Sequence, residues 1–141
     1  MNLPRIDVST RATSADDAVS RLRSGMRIFV HGAAATPTPL VEALVRNTAL
    51  HDIQLYHLHT TGPAPFVDPA HRDRFLSVSL FAGPPVRGAI ADGAADFVPI
   101  FLSDIPRLFL SGTIPLDAAL LQVSPPDAHG HCSLGTSVDA A

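Results

Sequence analysis

His129, His131 and Cys132, with Asp127 just before them, are the densest group of reactive side chains in this 141-residue sequence. His57 and His59 form a second His-x-His pair. Imidazole, thiolate and carboxylate are transition-metal ligands, so a metal hydrolase using His57, His59, His129, His131 and Asp127 is one reading. The spacing is not that of a zinc finger, an HExxH helix or a CxxC pair. Two histidines at i and i+2 on a strand also simply share a face. Cys132 beside His131 or His129 offers a thiol and a base, but no third residue is spaced to orient the imidazole. The alternative is a spectator thiol. No GxSxG elbow is present, which argues against serine hydrolase chemistry.

Three loops deserve equal weight. In His31–Pro37 a run of small side chains follows an apolar stretch and precedes a helical one. Small residues let a ligand approach the backbone, and a helix N-terminus offers free N–H groups to an anion. The loop is neither a Walker A motif nor GxGxxG, and it also reads as a plain turn. Thr60, Thr61 and Gly62 put two hydroxyls at a strand end, where they suit a carboxylate or carbonyl, or ordinary turn chemistry. Ser124–Ser137 is a long stretch without clear period after a buried strand, and such loops are commonly functional.

Acid usage narrows the chemistry. Twelve of the 13 acidic residues are aspartate, and the sole glutamate is Glu42. Glu42 lies in LVEALVRN with Arg46 four residues on, the favourable order for a surface ion pair on a helix. It reads as a solvated helix residue, not a catalytic acid.

Composition excludes several classes. The length fits one domain with a real core. With 46% hydrophobic and 16% charged residues the chain is too apolar for a disordered segment. It also carries less charge than the usual about 25%, as expected if one face packs on further protein. A net charge of −3 with no basic stripe leaves no nucleic-acid footprint. No apolar run reaches the roughly 18 residues of a membrane span, and the N-terminus lacks a signal-peptide core. A single cysteine rules out an intrachain disulfide and suits a reducing compartment. A cytoplasmic protein is the expectation.

Elements to position these loops follow from periodicity and punctuation. Residues 1–13 read as an arm, and residues 14–141 as one α/β domain. Ser14 with Asp17 is a capping-box-like start for a helix running to Ser24, stopped by Gly25. Strands are expected over Met26–Val30, Ile53–Leu58, Phe75–Phe81, Asp96–Ile100 and Ala118–Val123, with one more short strand in the tail. Helices are expected over Leu40–Ala49 (capped by Thr36 or Thr38), from Gly83-Pro84-Pro85 to Gly93, and over Ser103–Ser111 with Ser103 as cap. Alternating strands and helices predict right-handed βαβ units, hence a mostly parallel sheet flanked by helices. Ligands then bind beyond the carboxyl ends of the strands.

Four segments in this order resemble the N-terminal domain of the acetyl-CoA hydrolase/transferase family, which includes 4-hydroxybutyrate CoA-transferase. They are IFVHGAAATPTPLVEAL (28–44), GPAPFVDP (62–69), FAGPPVRGAIADGAADFVPIFLSDIPRLF (81–109) and ALLQVSPPDAHGHCSLGTSVD (119–139). The resemblance implies a CoA-transferase-like α/β half, related in fold type to sugar-phosphate isomerases. It implies an enzyme that moves coenzyme A between carboxylic acids. A glutamate attacks the acyl-CoA carbonyl to give a mixed anhydride, and the CoA thiolate then forms a glutamyl thioester. That glutamate lies in the family's C-terminal half, so this chain contributes no catalytic residue and is incomplete alone. By matching motifs, His31, Gly32, Ala33 and Ala34 form the turn nearest the acyl group. Thr60, Thr61 and Gly62 line the acyl side, and Ser133, Gly135 and Ser137 approach from the last strand. Many relatives carry Gly-Ser-Gly where this chain has His31-Gly32-Ala33. Coenzyme A enters as a substrate, with no cofactor and no metal. The implied partners are a C-terminal CoA-transferase half and, for the complete protein, a second copy. The alternative function is a free-standing α/β module binding a small anion or sugar phosphate.

Overall fold

A computed structural model describes residues 12–141; the arm expected over 1–13 falls almost entirely outside them. Five strands form one sheet: β1 (Arg27–Val30), β2 (Ile53–His57), β3 (Phe75–Ser79), β4 (Asp96–Phe97) and β5 (Ala118–Leu120). Every pairing is parallel, in the order β4-β3-β2-β1-β5. The helices are α1 (Ala15–Val19), α2 (Thr38–Arg46), α3 (Pro84–Ala91) and α4 (Ile105–Leu110), with 3-10 turns at Pro65–Val67, Pro69–His71 and Leu102–Asp104.

Strand order explains which face each helix covers. From β1 to β4 the chain steps repeatedly in one direction, and right-handed crossovers put those connections on one face. There Val19, Val41, Leu44, Phe66 and Val86 pack on Ile28, Val30, Ile53, Leu55 and Phe75. From β4 the chain jumps back past three strands to β5, so α4 lands on the opposite face. Its Ile105 packs with Phe29, Leu58 and Leu80, and Phe109 sits edge-on to Phe29 and Tyr56 at centroid distances of 5.7 and 6.4 Å.

Several boundaries differ from expectation, each for a local reason. Ser14 does cap α1, its hydroxyl oxygen accepting the Asp17 N–H at 3.0 Å. The helix nevertheless ends at Val19, well before Ser24. The Ser20 hydroxyl donates back to the Asp17 carbonyl at 2.7 Å, a local bond that competes with helix continuation. Neither Thr36 nor Thr38 caps α2, whose first residue follows Pro37. Thr36 is committed elsewhere: its hydroxyl donates to the Ala33 carbonyl and accepts the Thr61 N–H, at 2.8 and 3.0 Å. Ser103 belongs to the 3-10 turn before α4 and makes no capping bond. Beyond β5 the tail has no strand; Asp127–Gly130 form a turn.

Glu42 is exposed, as expected, but Arg46 does not pair with it. Its guanidinium reaches Asp16 of α1 at 2.9 Å, because α1 packs directly against α2.

Candidate functional site

The sheet reverses its direction of winding between β1 and β5, since the chain leaves β1 toward β2 and later returns to β1's other edge. At such a switch point the loops beyond the two carboxyl ends diverge and leave a crevice. A cleft of about 300 Å³ occupies this place. Ala34 and Ala35 after β1 form one wall; Gln122, Val123 and Ser124 after β5 form another; Ser133–Ser137 close the third side. The lining is mainly small and hydroxylated side chains, with Gln122, Val123 and Leu134 among them and no ionisable group.

The turn after β1 is held from two sides. Toward β2, the Ala33 N–H donates to the His59 carbonyl at 2.6 Å, and Ala33 bridges Thr60 in parallel fashion. Toward the tail, the Gly32 N–H donates to Asp139 Oδ2 at 2.8 Å, and the Ala34 N–H donates to the Ser137 hydroxyl oxygen at 3.1 Å. His31 is fully buried, with Nε2 at 2.6 Å from the Ser137 carbonyl oxygen and Nδ1 without a partner. Ala33 takes a left-handed φ of 49°. Gly32 is required because a Cβ there would run into the His59 carbonyl oxygen and Asp139 Oδ2.

The N–H groups of Gly32 and Ala34 are already taken by the chain's own carboxylate and hydroxyl. Burial pushes the Asp139 carboxyl above the usual carboxylate range, against the opposing pull of the Gly32 N–H and of His31 and His59.

The other predicted residues divide clearly. Ser133, Gly135 and Ser137 line the cleft together with Ala34, while His31, Gly32 and Ala33 form the turn that carries Ala34. Thr60, Thr61 and Gly62 lie beyond the end of β2 and outside the cleft lining. Thr60 is buried with its hydroxyl unpartnered, whereas Thr61 and Gly62 are exposed. Ser133 Oγ accepts the Gly135 N–H at 3.0 Å, which shapes the cleft rim.

The histidine-rich grouping does not assemble. His57 is buried, its Nε2 at 2.8 Å from the Ser77 hydroxyl oxygen and its ring 5.5 Å from that of Phe66. His59 is exposed and sits edge-on to Phe81. The strand ends at His57, so the shared-face argument does not reach His59, two residues on. Asp127 is a turn cap: Oδ1 accepts the N–H groups of His129 and His131 at 2.8 and 2.9 Å, and these bonds, His131's foremost, hold its carboxyl below the usual range. Cys132 is exposed on the same surface turn. Among the described residues no three His, Cys, Asp or Glu side chains converge as metal ligands.

Sequence reasoning missed Asp139, Gln122 and Val123 as site residues. The signal for Asp139 was its position: an acid closing the last family-like segment, after a run of small and hydroxylated residues.

Comparison with known proteins agrees with this architecture. The chain is 49% identical over 131 residues to a succinyl-CoA:acetate/propanoyl-CoA:succinate CoA transferase of Fasciola hepatica, covering 91% of this chain and 27% of that protein. It is 34% identical over 130 residues to the 4-hydroxybutyrate coenzyme A transferase of Clostridium kluyveri, covering 92% of this chain and 30% of the relative. The crystal structure of a 4-hydroxybutyrate CoA-transferase from Porphyromonas gingivalis superimposes with a TM-score of 0.70 at 28% identity, over 92% of this chain and 29% of that one. The chain thus spans about three tenths of the length of the curated relatives it matches. The profile of the acetyl-CoA hydrolase/transferase N-terminal domain matches residues 7–141, and the chain belongs to that family.

Proposed function

We propose that this chain is the N-terminal wall of the acyl-CoA site in an enzyme that transfers coenzyme A between carboxylic acids. The observation that carries this reading is the switch-point cleft between Ala34 and Ser133–Ser137, which has hydroxyls and small side chains but no nucleophilic carboxylate. A cleft of this kind can receive an acyl chain; it cannot form an acyl anhydride. The only glutamate, Glu42, lies on the exposed side of α2. The nucleophile therefore comes from the part of a relative-length protein that this chain does not match, and water or a second carboxylate resolves the intermediate there.

Exposed apolar side chains support the same reading. Phe101, Leu102 and Leu110, from the α4 side of the sheet, are 80%, 59% and 89% exposed. That face carries one short helix where the opposite face carries three, and it suits burial against the other seven tenths or so of a protein of the relatives' length. Among the described residues no helix is long and apolar enough to cross a membrane.

The test is an assay of CoA transfer from acetyl-CoA to short carboxylates. A protein of the relatives' length containing this chain is expected to transfer, and Glu42→Gln in it to transfer at the unaltered rate. The 141-residue chain alone is expected to show no turnover. Transfer by the isolated chain, or loss of transfer on Glu42→Gln, would sink the reading.

A further inference from the structure

We propose that Asp139 is a positioning residue: through Gly32 it holds the His31–Ala35 turn in the strained conformation that forms the cleft wall. Three observations converge on it. The first is strain. Ala33 adopts a left-handed φ of 49° without being glycine, a conformation that costs on the order of 1 kcal/mol or more and persists only where the surroundings over-determine it. The bonds that do so come from His59, just past β2, on one side and from Ser137 and Asp139 on the other.

The second is fit. Gly32 leaves no room for a Cβ because Asp139 Oδ2 and the His59 carbonyl oxygen both lie against it. The carboxylate and the turn are therefore packed to each other, not merely bonded across open solvent.

The third is chemistry. Anchoring one N–H needs a single acceptor atom, which serine or asparagine supplies. Here the acceptor is a half-buried carboxyl whose second oxygen, Oδ1, is buried without a partner. Buried polar atoms of native proteins are nearly always paired, so an open carboxylate oxygen beside the turn is not what simple capping produces. The titratable groups that face it are His31 from the end of β1 and His59 from the end of β2. Ser137 completes the clamp, engaging both the His31 ring and the Ala34 N–H. One short segment thus fixes His31 and Gly32 before the strained residue and Ala34 after it.

The test follows the Gly32 amide of the 141-residue chain by NMR from about pH 3 to about pH 8, a range spanning carboxyl and imidazole titration. The Gly32 proton is expected to shift with a midpoint above the ordinary carboxylate value. Asp139→Asn is expected to abolish that transition while keeping Gly32 protected from hydrogen exchange, because its amide oxygen still accepts. Asp139→Ala is expected to lower protection at Gly32 by about tenfold or more, the scale of one charge-assisted hydrogen bond, with Tyr56 and Val78 in the central sheet unchanged. A Gly32 shift that ignores pH, or unaltered protection in Asp139→Ala, overturns the proposal. If Asp139→Ala does not fold, the wild-type titration and Asp139→Asn decide it.

None of these readouts involves coenzyme A, so the clamp and the transferase reading fail separately. Only the catalytic consequence rests on that reading: in a transferring protein of the relatives' length, Asp139→Ala lowers kcat and Asp139→Asn restores most of it. Equal kcat in the wild type and Asp139→Ala would overturn the link between clamp and catalysis.

Discussion

His57 Nε2 lies 2.8 Å from the Ser77 hydroxyl oxygen, buried where the 3-10 turn that carries Phe66 packs on the sheet. Register makes the pair: Leu55 stands opposite Ser77 and His57 opposite Ser79, so small side chains on β3 leave room for a ring on β2. Burial holds the imidazole neutral, with its pKa lowered to about 4 from 6.5.

The sign of the resulting pH dependence is fixed by linkage. Between about pH 6.5 and about pH 4 the unfolded chain binds a proton at His57 that the folded chain refuses, so stability falls as pH falls through this window. The full effect is about 3 kcal/mol at about 1.4 kcal/mol per pKa unit. Urea unfolding at several pH values checks it, and His57→Gln should flatten the profile. A stability that is constant between pH 7 and pH 4 would contradict the neutral, buried assignment.

Gly32→Ala is expected to destabilise the chain by about 1–3 kcal/mol, the usual cost of overpacking. Its Cβ meets backbone, the His59 carbonyl oxygen, which cannot swing aside as a flexible side chain can. Denaturant melts of the variant measure this. A change within about 0.5 kcal/mol, typical of surface positions, would mean that the turn is looser than described.

Arg74 closes the carboxyl end of α2. Its guanidinium donates to the carbonyl oxygens of Leu50, Val45 and Asn47 at 3.0, 3.1 and 2.6 Å, and lies 4.8 Å from the centre of the Phe75 ring. A cation is favoured where helix carbonyls are unpaired, and only a planar fork reaches three at once. Arg74→Ala is expected to lose about 2–3 kcal/mol, and Arg74→Lys to recover little of it. Full recovery by lysine would show that charge alone matters there.

Replacing Phe101 and Leu110 with serine removes two of the most exposed apolar side chains. The isolated chain should then bind less hydrophobic dye and self-associate less in sedimentation, at nearly unchanged unfolding free energy. A protein of the relatives' length should instead be destabilised by the same pair. If both respond alike, this face does not pack against the rest of such a protein.

Some of this was legible in the residues themselves. The five strands and four helices follow from apolar runs such as Arg27–Val30 and Ile53–His57, punctuated by Gly25, Gly93 and Gly112, which do take positive φ. The strand end that Pro99 suggested is there, although β4 already stops at Phe97, two residues earlier. The solvated character of Glu42 was equally plain from its helical spacing. Its ion pair was not, because Arg46 had a better-placed acceptor on another helix.

Local chemistry is written along the chain: which stretches bury, where the backbone turns, and which residue types each loop carries. Those properties depend on near neighbours, so sequence alone settled the α/β class, the loops worth watching and the lack of a usable glutamate. What touches what across long separations is different. The placement of β5 beside β1, the opening of a cleft between their ends, and the bond from Asp139 to Gly32 across 107 positions arise only when the sheet is assembled. The same assembly withdrew His57 into the core and left His129, His131 and Cys132 on an exposed turn. Burial and strand order are properties of the whole packed chain, and they decided which of the reactive side chains share a site.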